Sequence, residues 1–593
     1  MTELIKGGAF LLSQATPEQV FTPEDFDDLH RMIGDTVASF IKEKVLPVSA
    51  AIEKMEDGIA VGLLRQMGEL GFLGSDIPEK YGGSEADKIT TLVITEEVSR
   101  GGSLSLTMGA HTGIGMLPIL FFGSEEQKKK YLPDLATGKK IAAYALTEAG
   151  AGSDALNAKT RAVLSEDGKH YILNGSKQFI TNASWADVIV TYAKVDGEHF
   201  TGFIVDRDTP GVSIGPEEHK MGIKGSSTCS VILEDAKVPV ENLLHKVGKG
   251  HQVAFNILNI GRFKLGVGCV GAAKYAVELS SRYAQERSQF NMPIAKFGLI
   301  KKKIADMNIL TYASESLCYR IGGLIQDMIE TLDLDSADAG QKIGDGIQEY
   351  AIECSVAKIH GSEMLDFVVD EGVQIHGGYG YSQEYPIEQA YRDARINRIF
   401  EGTNEINRLI IPATLMRKAQ KGEIPMIQAA MKLQEELLMP VMTEESDEPL
   451  AKEAQVIENL KKVFLLVSGT AAQKFGEKIV REQEILARMA DMVCEVFAAE
   501  SALLRAKKIM ATQGAKAASL AVKMTVCYVS DLAPKFDAWA KETIAAMEEG
   551  DTKRTLFAAL RKLTRFEPEN TFKIKREIAD AVYAANKYVA VVK

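Results

Sequence analysis

Apolar residues recur along the opening stretch of the chain at the three- and four-residue steps of helices that bury one face. Phe26, Leu29, Ile33, Val37, Phe40 and Ile41 form such a stripe, and Pro47 closes it. Thr22-Pro23-Glu24-Asp25 reads as the start of that helix, with Thr22 as N-cap, Pro23 at the first helical position and acids in the first turn. Two further helical stretches follow the loops at Asp57-Gly58 and Tyr81-Gly82-Gly83, and helical character runs to Thr137-Gly138. The pattern then shortens. From Ala142 to about Val240 there are brief β-rich runs broken by Gly, Asn and Asp. Val188–Tyr192, Phe200–Val205 and Ser230–Leu233 read as strands, and Asn174-Gly175 carries a hairpin-turn signal.

Helical spacing returns from Val253. Ile304, Met307, Leu310, Leu317 and Ile321 mark one buried stripe, and this bundle continues to about Lys421. A last helical segment fills the rest. Val456, Leu460, Val463 and Val467 step by four, three and four, as do Ile485, Met489, Met492 and Val496. This segment also carries a repeat. Lys303-Ile-Ala-Asp-Met307, followed by Ala313-Ser314-Glu315-Ser316 and Arg320, is matched by Arg488-Met-Ala-Asp-Met492, followed by Ala498-Ala499-Glu500-Ser501 and Arg505. The internal spacing is the same in both, so we read the C-terminal segment as a second copy of the helical bundle. It has no counterpart of His376-Gly377-Gly378 or Phe400-Glu401-Gly402-Thr403, which makes it packing material in this reading. The expected architecture is α+β: an N-terminal helical domain (20–141), a middle β-barrel or sandwich (142–250), a helical bundle (251–420) and a C-terminal helical domain (421–593) that resembles a degenerate second bundle.

Composition narrows the function classes. A hydrophobic share of 46% with 25% charged residues is that of an ordinary water-soluble chain. The net charge of -12 argues against non-specific nucleic-acid binding. Six cysteines lie scattered without a CxxC pair, so neither a disulfide framework nor a metal site is expected. Met1 to Gly8 lack an Arg-rich or secretory leader, and no run is read as long and apolar enough to span a bilayer. A cytoplasmic location is expected, or an organelle if a leader has been removed. Peripheral membrane contact stays open through Ile424, Ile427, Met431, Leu438 and Met439 beside Lys421 and Lys432.

Candidate chemistry centres on Phe400-Glu401-Gly402-Thr403-Asn404-Glu405. Glu401 stands between an aromatic and a glycine, where desolvation raises a carboxylate toward usefulness as a base. The same residues also read as a helix start, with Thr403 as N-cap. Tyr144-Ala145-Leu146-Thr147-Glu148-Ala149-Gly150-Ala151-Gly152-Ser153 offers backbone N–H groups to an anion, or makes a tight turn. It is not a dinucleotide fingerprint, because GxGxxG is absent. Phe179-Ile180-Thr181 by itself is an ordinary strand. Arg287-Ser288-Gln289-Phe290 pairs a guanidinium with an aromatic, which suits a diphosphate and an adenine.

Taken in order, these motifs, with Leu70-Gly71-Phe72 through Ile77-Pro78-Glu79-Lys80-Tyr81-Gly82-Gly83 and Gln374-Ile375-His376-Gly377-Gly378, closely resemble the acyl-CoA dehydrogenase family over about residues 20 to 420. The C-terminal extension is like that of its very-long-chain type. The resemblance implies FAD-dependent α,β-dehydrogenation of a fatty acyl-CoA, of long chain, to the trans-2-enoyl-CoA in β-oxidation. It implies that Glu401 removes the α-proton while FAD takes the β-hydrogen as hydride.

It further assigns Tyr144, Leu146, Thr147, Gly152, Ser153, Phe179, Ile180 and Thr181 to the flavin. Arg287, Gln289, Phe290, Gln374, Gly377 and Gly378 would reach the FAD of a neighbouring subunit, and Thr403 and Glu405 complete the cofactor set. Ser153, Asn259, Arg262, Phe400 and Gly402 would meet the acyl-CoA, and Gly109 and Ala110 would leave room for a deep acyl channel. Those two small residues also read as close helix packing. Ala149 replaces a common proline of the family and Phe179 its usual Trp. An electron-transferring flavoprotein is the implied reoxidant and a homodimer the implied assembly. An acyl-CoA oxidase of the same fold and a non-catalytic scaffold remain the alternatives.

Overall fold

The structure, a computed structural model, describes residues 4–336, 338–438 and 448–592. The chain divides into two compact units, one of Phe26–Lys264 and Ile325–Gln348, the other of Met1–Asp25, Leu265–Leu324 and Glu349–Lys593. The first is α+β and the second is almost wholly helical.

In the α+β unit the first long helix is Asp28–Phe40, capped by Asp27, whose carboxylate accepts the His30 N–H at 2.8 Å. Thr22 does not start it. The backbone N–H of Thr22 donates to Asp25, and Pro23–Asp25 form a separate short turn. Asp27 accepts from the third helical N–H and the Asp27 N–H donates back to the His30 ring, a closed capping box. Leu29, placed on the buried stripe by periodicity, is exposed, whereas Val37, Phe40 and Ile41 are buried.

Among the described residues the sheet of this unit has eight strands, seven of them on one continuous path: Val212–Ile214, Thr228–Pro239, His170–Thr181, Arg161–Leu164, Val188–Val195, His199–Asp206 and Leu243–Leu244; the eighth, Ala142–Ala145, pairs onto Val188–Val195 off that path. Val212 and Leu243, on the two end strands of that path, pack against one core that includes Leu173 and Phe203, so the sheet curls over on itself. The expected hairpin at Asn174-Gly175 is instead a bulge inside His170–Thr181. Asn174 exchanges two hydrogen bonds with Asp235 across the ladder, of 3.0 and 2.9 Å. Gly175 has φ +154° and lies against Thr160, where a Cβ would come within 2.4 Å of the Thr160 hydroxyl. The reversal falls at Asp167-Gly168, with Gly168 at φ +68°.

Among the described residues two helical stretches are long and apolar enough to cross a membrane, Ser103–Phe122 and Gly250–Glu286, contrary to the sequence expectation. Their apolar windows are 78% and 67% buried inside the protein, as in core helices.

The helical unit contains the two copies inferred from the repeat, and their side chains pair reciprocally. Arg505 of the second copy bonds Glu315 of the first at 2.5 Å, and Arg320 of the first pairs with Glu500 of the second at 2.9 Å. Arg505 also reaches Ser316 at 3.4 Å, and Arg320 reaches Ser501 at 3.3 Å. Even the ring contacts match: Arg505 lies over Tyr312 at 4.9 Å and Arg320 over Phe497 at 4.5 Å. Each contact maps onto its partner when the copies are exchanged, which is the signature of a two-fold relation. The N-terminal segment straps this pair. Glu24 takes a further bond from Arg505 at 2.8 Å, Phe10 packs edge-on to Phe497 at 4.6 Å, and Lys461 donates to the Ser13 carbonyl at 3.1 Å.

On the helix Met426–Leu438 the face considered for membrane contact is divided. Ile424, just before it, and Leu433 are buried, while Ile427 and Met431 are exposed. Met439 lies outside the described residues.

Arg505 is 2% exposed at its side chain and Glu315 4%. Removing one partner strands a buried charge, which costs about 3–5 kcal/mol. Arg505→Ala should therefore lower the unfolding free energy by about that amount, read from urea denaturation of the whole chain. A loss within experimental error of zero would show that the cluster is not holding the copies.

Candidate active site

In the α+β unit the two segments assigned to a flavin meet through short-range bonds. Strand Ala142–Ala145 delivers Tyr144, whose ring packs edge-on to Tyr192 at 5.5 Å, and then the buried Leu146. The Thr147 carbonyl accepts the Gln178 N–H at 2.9 Å. Glu148 and Ala151 then exchange N–H···O bonds of 3.2 and 3.0 Å and close a tight loop. Gly150, Gly152 and Ser153 are exposed, and a Cβ on either glycine would meet nothing within 4 Å.

Phe179 follows on the neighbouring strand, in a bulge between Lys177 and Ile180. Its φ is +59°, a left-handed conformation that costs an L-residue about 1–2 kcal/mol. The bulge turns the ring outward, leaving it 58% exposed. Ile180 is buried, and Thr181, half-buried, pairs with Thr228.

Sequence reasoning missed the pair that joins these segments. Glu148 accepts from the Lys159 N–H at 2.5 Å, the Thr160 hydroxyl at 2.5 Å and the Thr160 N–H at 3.1 Å. Lys177, fully buried two residues before Phe179, donates to Glu148 at 2.8 Å. Burial pushes the Glu148 carboxyl up, but the bonds from Lys177, Thr160 and Lys159 together outweigh it and hold it at about 2. The available signal was an acid inside a glycine-rich run with a lone lysine on the next candidate strand.

Asn259 and Arg262 lie one turn apart on Gly250–Glu286, both buried, with Arg262 donating to the Asn259 side-chain amide oxygen at 2.9 Å. Gly109 is exposed with open space at its Cβ position. Ala110 is buried and opens the π-helical turn Ala110–Gly115, a departure from α-helix that often accompanies functional positions.

The helical unit holds a cleft of about 700 Å³ lined by Tyr283, Arg287, Gln289, Ile294, His376, Gly377, Gly378 and Tyr379 among others. The Arg287 guanidinium lies over the Tyr379 ring at 5.3 Å, and His376 stacks on Tyr283 at 4.1 Å. Gly377 has φ +59°, and a Cβ on it or on Gly378 would point into open space. Phe290 and Gln374 are outside this lining. Phe290 sits at the tip of the small hairpin Ser288–Gln289 and Met292–Pro293, 86% exposed, and Gln374 is exposed one turn before the glycines.

The Glu401 stretch makes a left-handed bend. Glu401 has φ +57° and Gly402 φ +80°. Thr403 then caps Asn404–Gln420, its hydroxyl accepting the Ile406 N–H at 3.2 Å, so the helix-start reading holds for these residues. Phe400 and Glu401 are half-buried, and Glu405 is exposed on the first turn.

Comparison with known proteins agrees along the length of the chain. Residues 27–139, 143–236 and 248–416 match the N-terminal, middle and C-terminal domains of acyl-CoA dehydrogenase, and 459–562 match a further domain described as acyl-CoA dehydrogenase, C-terminal. A "Probable acyl-CoA dehydrogenase" of Bacillus subtilis (strain 168) is 56% identical over 583 residues, 98% of each chain. The mitochondrial very long-chain specific acyl-CoA dehydrogenase of Rattus norvegicus is 32% identical over 595 residues, covering 94% of this chain and 86% of its own. The crystal structure of an acyl-CoA dehydrogenase complexed with FAD from Bacillus anthracis superimposes with a TM-score of 0.97 at 55% identity, over 99% of this chain and 100% of that one.

The chain belongs to the acyl-CoA dehydrogenase family. It is an FAD-dependent oxidoreductase that acts on the CH–CH bond of an acyl-CoA. The residues present fit that cofactor: an outward aromatic ring on a strained bulge, glycine cradles that a Cβ would fill, and a guanidinium in an open cleft.

The Glu148 carboxyl drops from its ordinary 4.5 to about 2 in the fold. A depressed carboxylate contributes stability that is whole above its unfolded value and lost as pH falls through the folded one. The thermal midpoint of Glu148→Gln should therefore fall less steeply than that of the parent between about pH 5 and 3. Parallel slopes in the two proteins would remove Glu148 from this role.

Proposed function

We propose that the chain oxidises long-chain fatty acyl-CoA in β-oxidation, with Glu401 as the base that takes the α-proton. The observation that carries this reading is the left-handed bend at Glu401-Gly402. It holds a half-buried carboxylate between Phe400 and a capped helix start, in a left-handed conformation that costs backbone energy for a residue other than glycine. A thioester α-proton is far less acidic than a carboxylic acid, so the developing enolate oxygen must be stabilised as the proton leaves. Preorganised hydrogen-bond donors are the usual source of such stabilisation, and the backbone N–H of Glu401 is our candidate for one of them. FAD, when bound, supplies the two-electron acceptor for the β-hydrogen.

The remaining assignments follow the same reading. Thr147, Ser153, Phe179 and Thr181 hold the flavin, with the phenyl ring shielding its face. Arg287, Gln289, Gly377 and Gly378 take the diphosphate end of the cofactor of a second copy of the chain, through bidentate and backbone bonds. Asn259 and Arg262 meet the coenzyme A portion. Open space at Gly109 and the π-turn beginning at Ala110 support a deep acyl channel. An electron-transferring flavoprotein is the reoxidant. Turnover measured over a series of acyl lengths tests the substrate class. Higher kcat/KM for palmitoyl-CoA than for butyryl-CoA is expected, and the reverse order would move the chain to the short-chain members.

Glu401→Gln should keep the yellow flavin spectrum and lose turnover by at least roughly 10²–10⁴, the contribution of a general base. Substantial palmitoyl-CoA oxidation by this variant would assign the proton transfer elsewhere.

The assembly in this reading is a homodimer. The reciprocal pairing of Glu315, Arg320, Glu500 and Arg505 supports it, because the second copy covers a face that another chain's bundle would otherwise meet. Light scattering should give twice the 64.7 kDa chain mass. A stable tetramer would show that residues from about 440 onward have some other purpose.

A further inference from the structure

The bend at Glu401 and Gly402 is latched from the first turn of Asn404–Gln420. The Asn407 amide, fully buried, donates to the Gly402 carbonyl at 2.9 Å and to the Thr403 carbonyl at 3.1 Å. Where Glu401 points therefore depends on where that turn sits. Two residues fix the turn. Asn404, 2% exposed, accepts from Lys358 at 2.5 Å and donates to Glu363 at 2.9 Å. Arg408, one turn on, grips the same Glu363 carboxylate at 2.7 and 2.9 Å. The remaining edge of the Arg408 guanidinium, its Nε, donates to Asp491 at 2.7 Å.

Asp491 belongs to the second copy, on the helix Gln483–Met547, and is itself held by Arg488 at 3.0 Å. It is thus a fixed acceptor contributed by a bundle that carries no site motif of its own. A guanidinium gripped on two edges has one orientation, whereas one gripped on a single edge can pivot and draw Glu363 away from Asn404. The repeat provides an internal comparison. The equivalent of Asp491 in the first copy is Asp306, which pairs with Lys575 at 2.8 Å, on the terminal helix Thr571–Ala585. The same aspartate is used twice, and only one of the two leads to the bend.

We propose that Asp491, acting through Arg408, Glu363 and Asn404, is a positioning residue for Glu401, so that the C-terminal copy sets the alignment of proton abstraction rather than only covering a surface. This rests on the reading of Glu401 as the base. Misplacing a reacting group by a fraction of an ångström lowers the rate of the chemical step more than substrate affinity. The effect should fall on kcat.

The test uses the full-length holoenzyme and palmitoyl-CoA with a dye acceptor, together with hydrogen–deuterium exchange of the amides in 399–407. Asp491→Ala should lower kcat by about tenfold or more while KM stays within about twofold, and should speed exchange in 399–407. Asp491→Glu should restore most of both. Asp306→Ala, which breaks the equivalent pair, should leave exchange at 399–407 and kcat near those of the parent. Should Asp491→Ala fail to fold, Asp491→Asn takes its place and should show the same losses in smaller measure. Unchanged kcat and exchange in the folded Asp491 variant would overturn the proposal, as would equal losses in Asp306→Ala. Glu401→Gln is run beside them. If it is inactive while the Asp491 variants are unaffected, only the positioning role fails. If it turns over, the base assignment fails instead.

Discussion

A guanidinium buried beside two carboxylates organises the helical unit. Arg505 bonds both Glu315 and Glu24 with almost none of its surface in water. Taking one such charge out of water costs several kcal/mol, and the cost is offset only while every partner is in place. Burial pushes Glu315 toward protonation, but Arg505 and Lys274 more than reverse that and hold it ionised. Three stretches far apart in the chain are therefore bound to one condition: the N-terminal strap, the first bundle and its second copy. The mirrored pair of Arg320 and Glu500 imposes the same condition again. A bundle held this way has little freedom to slide or to dissociate in part, since any intermediate position leaves a charge uncompensated.

Backbone strain is found at candidate functional segments in each of the two units. Phe179 and Glu401 both adopt left-handed conformations without being glycine. Such residues persist where surrounding contacts outnumber the strain. Next to Phe179 the holding contact is the buried pair of Lys177 and Glu148. Around Glu401 it is Asn407 bonding back to the bend, on a turn fixed by Asn404 and Arg408. In both places the strained residue is the one with the candidate chemistry, and the buried polar residues beside it have none. The two groups differ in how they can be found. The strained ones lie in recognisable motifs, while the buried ones are ordinary lysines, asparagines and glutamates until their partners are known.

Local pattern made much of the molecule legible. Runs of β-branched and aromatic residues marked the strands, helical spacing marked the bundles, and the order of short motifs marked the family. Where local signals misled, a distant partner decided the outcome. Asn174-Gly175 has the dihedral freedom of a turn, but Asp235 and Thr160 hold it within a strand as a bulge. Thr22 has the chemistry of an N-cap, but Asp27 and His30 close a better box five residues later. Gly250–Glu286 has the length and apolarity of a membrane span, but most of that surface is buried by the protein's own neighbours.

By itself the sequence determined the α+β class, the duplication of the helical bundle and the residue types that could serve a flavin and a base. Those follow from periodicity and from short-range spacing, which the chain carries wherever it goes. Only the tertiary structure decided how the copies engage. Glu315, Arg320, Glu500 and Arg505 are visible as a repeat in the sequence, but the exchange of partners between copies is a property of packing. It alone decided that Asp491 meets Arg408, because a contact between residues so far apart in the chain has no local signature. The physical reason is the same in each case: buried charges are stable only with partners, and which partners they find is set by how the helices pack.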